Sequence, residues 1–124
     1  MTTLVIQNPA VPSLAHRIDF KDDFNAMCAL LSVERYLTDE ACMMRRELPL
    51  MHIELPTGPI TRLNNGMWVA CDRLPDGRIV PGTGMTYPSS YFLEDPAAPR
   101  VPMVMKIEPD LPAWVYTWAS EVGL

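Results

Sequence analysis

Histidine is scarce in this chain: there are two in 124 residues, alongside three cysteines and six glycines. Charge is thin as well, since only 20% of residues are Asp, Glu, Lys or Arg, and fifteen carboxylates against ten bases leave a net charge of −5. Each shortage excludes something. Ten scattered basic residues provide no cationic footprint for a phosphate backbone, so direct nucleic-acid binding is not expected. Cys28, Cys42 and Cys71 are odd in number and far apart, which argues against a disulfide framework and for a reducing, cytoplasmic setting. No C-x-x-C or H-x-x-x-H brings two ligands close together, so no metal site is expected. No apolar run approaches the ~18 residues of a membrane-spanning helix, and no basic stretch leads into an apolar one at the start as a secretory leader would. The expectation is a soluble chain without membrane association.

Catalytic patterns are equally few. Ser13, Ser32, Ser89, Ser90 and Ser120 all lie outside a G-x-S-x-G elbow. Gly82-Thr83-Gly84 lacks the Gly-Lys-Ser/Thr that completes a phosphate loop. His52-x-Glu54 matches only the first half of the zinc-deaminase signature and has no Pro-Cys-x-x-Cys to follow it. Carboxylate pairs at Asp22-Asp23 and Asp39-Glu40 sit at predicted helix starts, where the macrodipole accounts for them. No cofactor is therefore expected. What remains for an enzyme is a site without a familiar motif, with His16 as its base.

The chain is rich in soft apolar side chains and in proline. Hydrophobic residues make up 48% of it, nine of them Met, and there are thirteen prolines. Its length suits one globular domain spanning residues 1–124. A core of that size is modest, so the surplus Met reads either as core filling or as a contribution to an oligomer or partner face.

Periodicity divides the chain into elements. Thr3 to Ile6 reads as a short edge strand, stopped by Asn8-Pro9 and Pro12. From Asp19 to Leu37, Phe20, Phe24, Met27, Cys28 and Leu31 recur at helical steps. Thr38 then caps a second helix that carries Arg45 and Arg46 near its end and stops at Pro49, giving a helical hairpin. Met51 to Leu55 alternates, with Met51, Ile53 and Leu55 inward and His52 and Glu54 outward. Asn65-Gly66 marks a tight hairpin that sets Leu63 opposite Trp68 and Ile60 opposite Cys71. Pro75-Asp76-Gly77 returns Arg78 to Val80. Pro81 to Arg100 reads as a long loop, Val101 to Ile107 as a strand, and Asp110 to Gly123 as an amphipathic helix with Leu111, Trp114, Val115, Trp118 and Val122 along its apolar stripe. The fold class is thus α+β: an N-terminal helical hairpin, an antiparallel meander of four to five strands, and a C-terminal amphipathic helix.

The loop supplies the candidate site. Tyr87, Tyr91 and Phe92, followed by Glu94 and Asp95, form the aromatic and acidic composition of a protein-contact surface, because rigid rings give large contact area at low entropic cost. The competing reading is that these rings pin the loop to the sheet. The expected function is a non-enzymatic module binding another protein, one with a basic surface. As a class, small acidic inhibitors such as anti-CRISPR and toxin-immunity proteins answer to this description. The alternatives are a subunit of a larger assembly such as a phage particle, which would form homo-oligomers, and the motif-free enzyme.

Overall fold

The computed structural model describes residues 2–44 and 49–93, together with 112, 114 and 115. In chain order the elements are β1 (Thr2–Gln7), β2 (Ala15–Phe20), α1 (Asp23–Met44), β3 (Leu50–Leu55), β4 (Gly58–Arg62), β5 (Trp68–Arg73), β6 (Ile79–Tyr87) and the short α2 (Ser89–Phe92). The strands make one antiparallel sheet in the order β2-β1-β3-β4-β5-β6. The α+β class holds, with six strands among the described residues rather than four or five.

The main core lies between α1 and one face of the sheet. Leu4 and Ile6 of β1, Ile53 and Leu55 of β3, Ile60 of β4 and Trp68 of β5 present alternate side chains to it. From the helix, Ala26, Met27, Leu30, Val33 and Leu37 answer at steps of three and four, so one stripe is buried. Asp22 starts the helix: its carboxylate accepts from the Asn25 backbone N–H at 2.7 Å, the geometry of an N-cap. Asp23 sits buried beside it and accepts from the Thr2 hydroxyl, which ties the helix to β1.

Several expectations are corrected. β1 is central rather than an edge, because Ala15–Phe20 forms a strand that pairs along its whole length, with Leu4 opposite Ile18. That strand alternates Ile18 and Phe20 toward the core with Arg17 and Asp19 away, but Phe20 also fits a helical step, which concealed it. The helical hairpin is replaced by one helix running through Thr38. No Gly or Pro interrupts residues 37–44, and a capping residue does not by itself break a helix whose preceding Leu37 is held in the core. Pro81 to Tyr87 is strand rather than loop. Of the C-terminal helix, only Trp114 and Val115 lie within the described residues; Val115 is buried in the core and Trp114 packs against it. The expected strand at residues 101–107, Trp118, Arg45 and Arg46 lie outside them.

The two turns of the β4–β5–β6 meander are built alike. In Leu63–Met67, Leu63 N–H donates to Met67 O at 2.8 Å and Gly66 N–H to Leu63 O at 2.9 Å. In Leu74–Arg78, Leu74 N–H donates to Arg78 O at 2.8 Å and Gly77 N–H to Leu74 O at 3.0 Å. Gly66 and Gly77 have φ of 86° and 94°, where a side chain would be strained. In each turn the preceding Asn65 or Asp76 side chain accepts the N–H two residues on. These are three-residue loops closed by a glycine bulge, not two-residue turns. The longer loop shifts the expected pairing by one residue, so Ile60 faces Ala70 and Arg62 faces Trp68.

The second face of the sheet is also partly covered, because the sheet coils until its last hairpin meets its first strand. Gln7, nearly buried, makes the closure: its Nε2 donates to Gly77 O at 3.0 Å and Pro12 O at 3.2 Å, while its Oε1 accepts from Ile79 N–H at 2.9 Å. Val5, Val69 and Ile79 are buried on this side, apart from the main core. Between the paired segments of β5 and β6 the ladder is broken. Cys71 faces Pro81 and Val69 faces Thr86, so residues 82–85 stand against Ala70 alone. Gly82 lies so close to β5 that a Cβ there would come within 2.4 Å of Ala70 O.

Replacing Gln7 by Ala leaves the Gly77 and Pro12 carbonyls and the Ile79 N–H without their partner. The expected cost is about 3 to 6 kcal/mol in urea unfolding, three deprived groups at ~1–2 each. Gln7→Glu, which keeps the acceptor but sets a nearly buried carboxylate oxygen against the Gly77 and Pro12 carbonyls, should cost at least as much.

Candidate functional site

The candidate surface forms where β6 ends. Tyr87 is the last residue of β6, opposite Trp68 in the ladder. Pro88 turns the chain, Tyr91 N–H returns to Pro88 O at 3.0 Å, and α2 presents Tyr91 back over Tyr87. Their rings stack at a centroid distance of 4.0 Å and 16° between planes. Phe92 meets both edge-on, 5.1 Å from Tyr91 and 5.7 Å from Tyr87. Offset stacking and edge-to-face contact are the favoured aromatic arrangements, so the three rings hold one another in place.

This cluster is also fixed from below. Trp68, the largest fully buried side chain among the described residues, donates its indole N–H to the Ser89 hydroxyl at 2.8 Å. Leu93 is buried in the main core, and Phe92 packs against it. Phe92, Leu93 and Ser89 pin the segment, while Tyr91, 62% exposed, and Met85, 74% exposed, face solvent. Tyr87 is half-buried between them. Glu94 and Asp95 lie outside the described residues. Trp68 is the residue that sequence reasoning misses here: the hairpin signal places it only as a partner of Leu63, whereas its indole and the core beneath it anchor the platform.

The remaining chemistry-bearing residues are dispersed. Cys71 is half-buried, and burial pushes its thiol up to about 12, which makes it a poor nucleophile. Among the described residues, no three of His, Cys, Asp and Glu gather as metal ligands. His16 faces Ile6 across the β1–β2 pair. No helix among the described residues is long and apolar enough to cross a membrane. No protein-family model, curated protein or solved structure matches the chain.

His52 departs most from its expected place. It lies on the face turned away from α1, opposite Val5, as the alternation requires. It is nonetheless only 2% exposed, because the coiled β5–β6 hairpin covers that face. Neither ring nitrogen has a hydrogen-bond partner; Glu54 Oε1 is 3.5 Å from Nε2, too far for a good bond. Burial lowers the imidazole below its ordinary 6.5, an effect opposed by Glu54 of β3 and reinforced by Arg17 of β2 and Arg73 of β5.

The sign of the pH effect follows. A histidine held below its unfolded value binds its proton more readily in the unfolded chain, so its neutral form supports the fold above 6.5 and that support is lost as pH falls toward the folded value. Urea unfolding should show stability dropping as pH falls below about 6.5, with the drop reduced in His52→Gln. An identical pH dependence in the variant would show that His52 is not the group responsible.

Proposed function

We propose that this chain is a non-enzymatic protein-binding module that acts by stoichiometric occupancy of another protein, as an inhibitor of the anti-defence or toxin-immunity kind does. The observation that carries this reading is the Tyr87–Tyr91 stack, exposed on one side and anchored on the other through Phe92, Leu93 and the Trp68–Ser89 hydrogen bond. Aromatic rings at interfaces cost little to order, and rings already held in place cost less, so binding energy is not spent on fixing them. The adjacent Met85 adds an apolar contact that can adapt to the partner's shape. The net charge of −5 favours a partner with a basic surface and speeds encounter with it.

The test is affinity capture of the tagged protein from its own host's lysate, run in parallel with Tyr91→Ala and Tyr87→Ala. The expected result is one foreign protein recovered in stoichiometric amount by the parent chain and lost from Tyr91→Ala, a change of about 2 kcal/mol or more in binding. Unfolding of Tyr91→Ala should stay within ~1 kcal/mol of the parent, because the ring is largely exposed. Undiminished capture by both variants would overturn the assignment of this surface. Recovery of only further copies of the chain would favour the assembly-subunit reading.

A further inference from the structure

On the face of the sheet away from α1, at the end of the β5–β6 hairpin opposite the aromatic platform, lies a cleft of about 450 Å³. That volume falls within the ~300–1,000 Å³ of small-molecule sites. His52 is among its lining residues, nine-tenths and more buried, with no protein hydrogen-bond partner on either ring nitrogen and with Glu54 Oε1 3.5 Å from Nε2. Such a group is rare in a folded protein, because an unmet buried donor or acceptor costs free energy. Val5 and Ile79 supply apolar wall, and Ser13 and Arg73 are exposed where they line the cleft.

The charges of the lining decide which ligand fits. Glu54 is engaged by Arg17, and Asp76 is engaged by Arg78 at 2.7 Å. Arg73 makes no ion pair among the described residues, so it is the cleft's uncompensated charge. An unpaired guanidinium, a hydroxyl and an imidazole N–H together form a donor set for a carboxylate. A dianionic phosphate would bring two negative charges against one unpaired guanidinium, with Glu54 and Asp76 in the same lining, whereas a monocarboxylate brings one. The apolar walls ask for a hydrocarbon body behind the carboxylate.

We infer that this cleft is a binding site for a small organic monocarboxylate, with the carboxylate held by Arg73 and His52 and the apolar body lying between Val5 and Ile79. The site is independent of the protein-binding reading, since the two occupy opposite ends of one hairpin.

The experiment uses the full chain, with the ring carbon and nitrogen signals of His52 followed by NMR during titration with benzoate and hexanoate. Benzamide and hexanamide serve as uncharged matches of the same shape. The expected result is a saturable shift of the His52 ring signals with the acids and not the amides. Arg73→Ala, which changes an exposed side chain, should weaken binding about ten- to a hundred-fold, and Arg73→Lys less. Three results would overturn the inference: no saturable shift with either acid, equal shifts with acids and amides, or undiminished acid binding by Arg73→Ala. Because the readout is a ring signal and the variant lies at the surface, the outcome does not hinge on whether a His52 substitution folds. Capture of a protein partner by the aromatic platform is unaffected by any of these results, so the two readings fail separately.

Discussion

The closure made by Gln7 is the constraint on which the rest of the molecule depends. A six-stranded sheet with a helix on one face leaves its other face to water, and the alternation along β3 fits that simple picture. Here one amide side chain joins residues 70 and 72 positions away, bringing the β5–β6 turn down on β1. Backbone groups at a turn are ordinarily solvated; at Gly77 and Ile79 they are satisfied by a nearly buried side chain instead. The closure gives Val5, Val69 and Ile79 a place to be buried and takes His52 out of solvent. The deep histidine, the cleft and the second apolar layer are consequences of one contact.

Closure at one end of the β5–β6 hairpin sets what happens at the other. The turn at residues 74–78 is fixed by its glycine bulge and by Gln7, while the far end is fixed by Trp68 in the main core. Between them, four residues of β6 stand against one of β5, and Gly82 is the residue small enough to pass the Ala70 carbonyl. A bulge of this kind bends and twists its strand. The first half of β6 therefore belongs to the covered second face, and the second half leads out to the exposed Tyr87, Tyr91 and Met85.

Much of the local structure could be read from residues. The strand at Met51 to Leu55 and the turns at Asn65-Gly66 and Asp76-Gly77 follow from period and turn chemistry. The α+β class follows from their order. What sequence periodicity could not supply was distance. Nothing in the alternation of His52 and Glu54 announces that a hairpin more than twenty residues later will cover one and leave the other half-exposed. Thr38 and Asp39 carry the signature of a helix start, yet they lie inside a helix, because a cap is a preference that a continuing run of helix-compatible residues can override. Pro81, Gly82 and Gly84 have the composition of a loop, but proline is tolerated at a sheet edge and β6 is one. The aromatic cluster was legible as residues and not as geometry: only the chain reversal at Pro88 places Tyr91 against Tyr87.

The bulge also bears on how the two ends can work together. A continuous ladder would transmit a displacement of the Gly77 turn along every hydrogen bond to Tyr87, coupling the cleft to the aromatic platform. The break at residues 82–85 removes that path, and the platform's own supports, Leu93 and Trp68, belong to the core beneath α1 rather than to the covered face. Coupling between two sites requires an element with two arrangements that both sites bias, and here each end is tied to a different apolar layer. The architecture thus ties the two ends of one hairpin to separate apolar layers: a turn closed on β1 through Gln7, and a far end that displays Tyr91 and Met85.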